Sequence, residues 1–151
     1  MKLVLRSVTA VLLVGIALLA VDRVLSAQQR RPDTPKVIRM YGDAKGETHL
    51  ETIAVPLDAR TGRWDGLPTS GNVQIARFAA DLKADWHTGS RRTYLVTLSG
   101  AGYEIEVREG SKAQFPPGGI LLVEDVKTKG HRTRALGETF VMYVPVDGAA
   151  R

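Results

Sequence analysis

A chain of 151 residues is long enough for one domain with a core of ordinary size. Its 44% hydrophobic and 25% charged residues are the balance of a globular protein, and the lack of any cysteine excludes disulfides, thiolate catalysis and cysteine-ligated zinc. The net charge is +5, but Lys2, Arg6, Asp22 and Arg23 lie in the first 27 residues, and the remainder carries 18 Lys and Arg against 15 Asp and Glu. An excess so weak and scattered, with few aromatics between the charges, argues against nucleic acid as a partner.

The N-terminus carries a targeting pattern. Lys2 and Arg6 precede an apolar run from Ser7 to Val21, which Asp22 and Arg23 interrupt. The run suits the core of a signal peptide and is short for a bilayer span, which needs about 20 residues. Ser26 and Ala27 supply small residues for cleavage. Residues 1–27 therefore read as a signal peptide, with a membrane anchor over residues 3–21 as the alternative. The protein is expected to be exported, periplasmic or extracellular, or else tethered to the membrane by its N-terminus. Residues 28–36, with Gln28-Gln-Arg-Arg-Pro32, read as a linker.

From residue 37 the pattern becomes short β-prone runs between turn residues. Val37–Tyr41 ends at Gly42-Asp43, His49–Leu57 runs into Asp58 and Gly62, and Val73–Phe78 alternates apolar and polar. Ile75–Leu82 offers the one helix candidate, although its alternation suits a strand equally. Trp64, in Gly-Arg-Trp-Asp-Gly, is expected to pack over the mouth of a barrel. Thr93–Leu98 ends at Ser99-Gly100. Tyr103–Arg108 alternates strictly, which puts Glu104 and Glu106 together on a solvent face. Ile120–Val123 is continuously apolar and is expected to be covered on both faces. Lys127, Lys129, Arg132 and Arg134 read as a solvated loop, and Thr139–Val144 closes the domain. Strands so evenly spaced, without a convincing amphipathic helix, predict an all-β antiparallel sandwich or barrel.

Trp86-His87, Tyr94-Leu-Val-Thr-Leu-Ser-Gly100, Glu109-Gly110, Phe115-Pro-Pro-Gly-Gly-Ile-Leu-Leu-Val-Glu-Asp125 and Gly130-His131 together resemble the small single-domain cupins. The resemblance implies a double-stranded antiparallel β-helix, a jelly-roll or cupin barrel, over residues 37–146, followed by a tail over 147–151. Gly100 and Gly110 suit tight turns with positive φ, and Pro116-Pro117-Gly118 suits a corner where the chain changes sheets. The family's usual metal site needs two histidines one residue apart, then a glutamate, then a later histidine. Here His87 matches the second histidine, Asp85 replaces the first, Arg92 or Thr93 falls at the glutamate, and Leu121 falls at the last histidine. The usual site is therefore incomplete. Gly46-Glu-Thr-His49, Asp85-Trp-His87, Arg91-Arg92 and Glu124-Asp125 with Gly130-His131 resemble a subgroup with a pattern of its own.

All three histidines of the chain, His49, His87 and His131, lie in these motifs. With Glu124 or Asp125 they form a candidate non-standard site for a divalent metal such as Fe, Mn or Zn, set against three separate inert histidines. Arg91 and Arg92 precede a strand, so their side chains point to opposite faces and at most one looks inward, where it would clamp an anion. Glu124 and Asp125 also diverge, and one of them is placed to meet His131. The candidate ligand-binding residues are thus His87, Arg91, Arg92, Glu124 and Asp125, with His87 facing the barrel interior. Three functions follow. The first is an exported cupin-type protein binding a small polar or anionic molecule; the second is a metal-dependent oxygenase or isomerase; the third is an envelope structural or interaction module. A homodimer suits this type of barrel.

Overall fold

The computed structural model describes residues 35–147, so the expectations for residues 1–27, for 28–34 and for the tail beyond Asp147 lie outside the described residues. Ten strands are present: β1 (Lys36–Gly42), β2 (Thr48–Ala54), β3 (Gln74–Phe78), β4 (Lys83–His87), β5 (Thr93–Gly100), β6 (Tyr103–Val107), β7 (Lys112–Phe115), β8 (Ile120–Glu124), β9 (His131–Ala135) and β10 (Thr139–Pro145). Six form one sheet in the order β2-β1-β8-β5-β10-β3, and four form a second in the order β4-β9-β6-β7.

The pairing defines the architecture. β3 pairs with β10, β4 with β9, β5 with β8 and β6 with β7, all antiparallel. The chain from β3 to β10 is thus one long hairpin, doubled back at the β6–β7 turn and rolled so that successive pairs alternate between the sheets. That winding is the jelly roll, the barrel on which cupins are built. β1 and β2 extend the larger sheet, and here the expectation of a wholly antiparallel barrel needs correcting, because β1 lies parallel to β8.

Local sequence makes the corners. Gly100 has φ of 98°, and a Cβ there would lie 2.1 Å from Glu138 O, so only glycine fits. At Pro116-Pro117-Gly118 the chain passes from β7 in one sheet to β8 in the other, with Gly118 at positive φ and the Gly119 amide donating to Pro116 O at 2.8 Å.

Two apolar clusters hold the domain. Met40, Leu95, Tyr103, Ile105, Val107, Phe115, Leu121, Val123 and Val141 fill the space between the sheets. Val37, Val55, Leu122 and Val146, with Trp64, Leu67 and Tyr94, form the second on the outer face of the larger sheet. Residues 55–73 lie as an irregular flap over that face. Leu121 and Leu122 therefore belong to different clusters, and β8 is covered on both sides as its continuous apolar run requires. Trp64 packs edge-on against Tyr94 in the outer cluster, so its expected place at the barrel mouth is wrong. β3 is a strand where Ile75–Leu82 offered a helix, β2 stops at Ala54, and Arg132 and Arg134 sit on β9 instead of in a loop.

Candidate functional site

A cleft of about 360 Å³ opens between the two sheets beside β3 and β4. Its walls are largely apolar: Phe78 from β3, Leu82 and Ala84 around the start of β4, Leu95 and Leu121 from the larger sheet, and Ile105 and Tyr143. Burial raises the phenol pKa values of Tyr103 and Tyr143, which also line it. Its polar lining includes the exposed His87, Ser90 and Arg91 and, buried beside His87, His131. An apolar hollow with a few polar groups in its lining is the usual form of a small-molecule site.

A β-bulge places His87. Ala84 faces Thr133 on β9, but the next registered pair is His87 with His131, so three steps on β4 match two on β9. Simple alternation from Ala84 would turn Trp86 inward. The extra residue shifts the parity, turns His87 to the cleft and leaves Trp86 outside, where Arg108 and Arg132 cover its ring at 4.2 and 4.8 Å. The His87 and His131 rings come together with centroids 4.2 Å apart.

Both imidazoles are oriented from behind. His87 Nδ1 lies 2.7 Å from Asp85 O, and since a carbonyl only accepts, Nδ1 carries the proton. His131 Nδ1 lies 2.6 Å from Asp125 Oδ2, inside the fold, and donates to that carboxylate. Asp125 is fully buried and also accepts from the Gly89 amide at 3.2 Å. Gly130 brings the β8–β9 loop close: a Cβ there would lie 2.3 Å from His87 O.

The expected residues separate accordingly. His87, His131 and Arg91 line the cleft, and Asp125 stands behind His131. Arg92 and Glu124 turn to the opposite face, as their neighbours' inward positions demand. There Arg92 Nη2 pairs with Glu124 Oε1, Arg39 Nε donates to Glu124 Oε2 at 2.5 Å, and Arg39 Nη1 meets Glu51 at 2.8 Å. These two candidate ligand-binding residues are therefore structural. His49 points away from the core, since its neighbour Leu50 is the inward residue of β2, and sits between Asp43 and Glu109 at 3.2 Å each. It does not join the other histidines.

The donor chemistry does not fit the expected metal. Among the described residues no three of His, Cys, Asp and Glu come together to hold an ion. Leu121 faces the cleft at the position where the family places a histidine, and Thr93 lines it near the glutamate position. Two imidazoles fall short of the three protein ligands usual for catalytic zinc, and the oxygen donor nearest His131 is engaged on its Nδ1. Sequence reading missed Gln74, Phe78 and Tyr143, which line the cleft as ordinary strand residues, and Leu82 from the turn before β4.

No protein-family profile matches the chain, and no curated protein does. Among solved structures the chain resembles a cupin domain from Bordetella pertussis Tohama I, with 18% identity over 50% of this chain and 80% of that one and a TM-score of 0.40. It also resembles an RmlC-like cupin from Desulfovibrio desulfuricans, with 14% identity, 78% and 87% coverage and a TM-score of 0.39. Against a Streptococcus pyogenes protein of unknown function, SPY1581, identity is 14% and the TM-score 0.40; the match covers 52% of this chain and 65% of that protein's length. The fold assignment rests on the strand pairing, which is that of a double-sheet jelly roll.

Proposed function

We infer that the domain binds a small organic anion, with an apolar body in the cleft and its anionic group at Arg91. The observation that carries this reading is the cleft itself, largely apolar along its walls and lined also by one arginine and two imidazoles. A guanidinium in such a lining offers a forked donor to a carboxylate. We further propose export: the first 27 residues have the makings of a signal peptide, and mass spectrometry of the protein recovered from outside the cytoplasm should find a chain starting at Ala27 or Gln28, according to whether cleavage follows Ser26 or Ala27. A chain beginning at Met1 would favour the anchor.

Titration of the protein with 3-phenylpropionate tests the binding reading. Saturable binding is expected, and Arg91→Ala should weaken it by about tenfold, the size of one charge-assisted hydrogen bond. His87→Ala should also weaken it while costing no more than about 1–2 kcal/mol of stability, since a rim residue has little packing to lose. Absence of saturable binding would reject the reading.

The Asp125–His131 pair supports a second reading, an isomerase. An imidazole held on one nitrogen by a buried carboxylate is oriented to take a proton on the other. Incorporation of solvent deuterium into a bound acid would support it, and a bound acid that exchanges no proton would count against it.

A further inference from the structure

The tautomers of the two cleft histidines specify the ligand beyond its negative charge. His87 Nδ1 donates to a carbonyl and His131 Nδ1 to a carboxylate. In the neutral rings the proton is thus fixed on Nδ1 in both, and both Nε2 atoms are bare lone pairs. Neither Nε2 has a hydrogen-bond partner among the described residues. The rings lie side by side across the β4–β9 pair, with 4.2 Å between centroids, and both line the cleft. The cleft therefore offers two adjacent acceptors, and Arg91 among its lining residues offers one strong donor.

A plain carboxylate satisfies only the arginine. A hydroxyl supplies one hydrogen for two lone pairs and brings lone pairs of its own. An ammonium group brings three donors and no acceptor. The buried Asp125 carboxylate behind His131 adds negative potential on the same side. We propose that the cleft takes an α-amino acid with an apolar side chain: carboxylate on Arg91, ammonium shared by His87 Nε2 and His131 Nε2, and side chain against Phe78, Leu82 and Tyr143. The proposal rests on the anion-binding reading and narrows it to one ligand class.

Three acids of matched shape separate the possibilities: phenylalanine, 3-phenyllactate and 3-phenylpropionate. They differ at one carbon, which bears an ammonium, a hydroxyl or hydrogen. At pH 8 the affinities should fall in that order, with about tenfold between the first and the last. Equal binding of all three would overturn the amino-acid proposal and leave the anion reading standing. Binding of none would overturn both.

Asp125→Asn sharpens the test. The Gly89 amide donates to Asp125 Oδ1, so an asparagine keeps its oxygen there and turns its NH₂ toward His131 Nδ1. That nitrogen must then accept, and the proton moves to Nε2. One of the two acceptors becomes a donor, so phenylalanine should drop below 3-phenyllactate, which has both a donor and an acceptor to offer. A merely structural role for Asp125 would lower all three acids together, and that result would overturn the proposal. Imidazole ¹⁵N shifts give a ligand-free readout: both Nε2 atoms should be unprotonated in the wild type, and His131 Nε2 should be protonated in the variant. A protonated Nε2 on either ring of the wild type at pH 8 would also overturn it.

Discussion

The two sheets face the same core but treat their outer faces in opposite ways. The larger sheet covers its outer face over β1, β8 and Tyr94 of β5, while Ile75, Leu98 and Phe140 stay exposed on its strands β3, β5 and β10. Residues 55–73 lie over Val37, Leu122 and Tyr94, and beside that cover the Arg39–Glu124–Arg92 cluster closes off with Glu124's side chain only 2% exposed. The four-stranded sheet leaves its outer face open and tiles it with cross-strand charge: Arg134 with Glu104 at 3.0 Å, Arg132 with Glu106 at 2.7 Å, and Lys112 with Glu106 at 3.2 Å. Glu104 and Glu106 share one face as alternation requires, but solvent exposure does not describe Glu104, which lies buried beneath Arg134, Lys112 and Gln114. The hydrogen bond from Gln114 and the two cations hold its carboxyl below the usual range. The lesson is that a strand can be half-buried either by a flap of chain or by its neighbours' long charged side chains.

Ion pairs on the two faces should therefore differ most in what they contribute. Glu124→Ala strips a desolvated carboxylate from two arginines and should destabilise by about 3 kcal/mol, as when one partner of a buried pair is removed. Leu122→Ala opens a cavity under the flap and should cost about 2–3 kcal/mol. Arg134→Ala, whose side chain is about half exposed, should cost less than about 1 kcal/mol. Urea unfolding of the three variants checks the order. If Arg134→Ala costs as much as Glu124→Ala, the distinction between a covered and an open face fails.

The same contrast explains what the sequence disclosed. Seven strands were legible, and the three that were not, β4, β7 and β9, all belong to the four-stranded sheet. Lys112–Phe115 and His131–Ala135 look like loops because their outward positions, Lys112, Gln114, Arg132 and Arg134, are polar or charged and three of their inward positions, Ala113, Thr133 and Ala135, are small. Hydrophobic periodicity misses such strands. In the site, the opposed directions of Arg91 and Arg92, and of Glu124 and Asp125, followed from strand alternation, and one carboxylate did meet His131. Which member of each pair looked inward needed the register. The position of His87 needed the bulge at Asp85-Trp86, which no propensity marks. His49 misled because a shared residue type and a shared motif region say nothing about which face of a sheet a side chain takes.

The smallest expected effect tests the contact that joins the two sheets at their ends. His49 on β2 is held by Asp43, from the β1–β2 turn, and by Glu109, from the β6–β7 turn. Tyr41 on β1 packs its ring 5.6 Å from the imidazole, and Arg39 lies over the other ring at 4.6 Å. The hydrogen bond to Asp43 raises the His49 pKa, partial burial opposes it, and Glu109 adds to the rise. Asp43 is shifted down, first by the Glu47 amide and then by His49. A histidine whose pKa is higher in the folded state stabilises when protonated. Its contribution is complete below the unfolded value of about 6.5 and disappears as pH rises through the folded value. The Asp43 contribution is constant over that range, since it is lost only when pH falls through a depressed carboxylate value. Melting temperatures of the wild type and His49→Gln should therefore be compared between about pH 5.5 and 8.5. The wild type should hold an advantage at the acid end that closes toward the alkaline end, and taking the difference cancels His87 and His131, which both proteins share. All three groups are substantially exposed, so the advantage should be small and should shrink further in high salt. A difference between the two proteins that does not change with pH would show that His49 acts by packing on Tyr41 alone, and that charge does not tie the hairpin of the larger sheet to the turn of the smaller one.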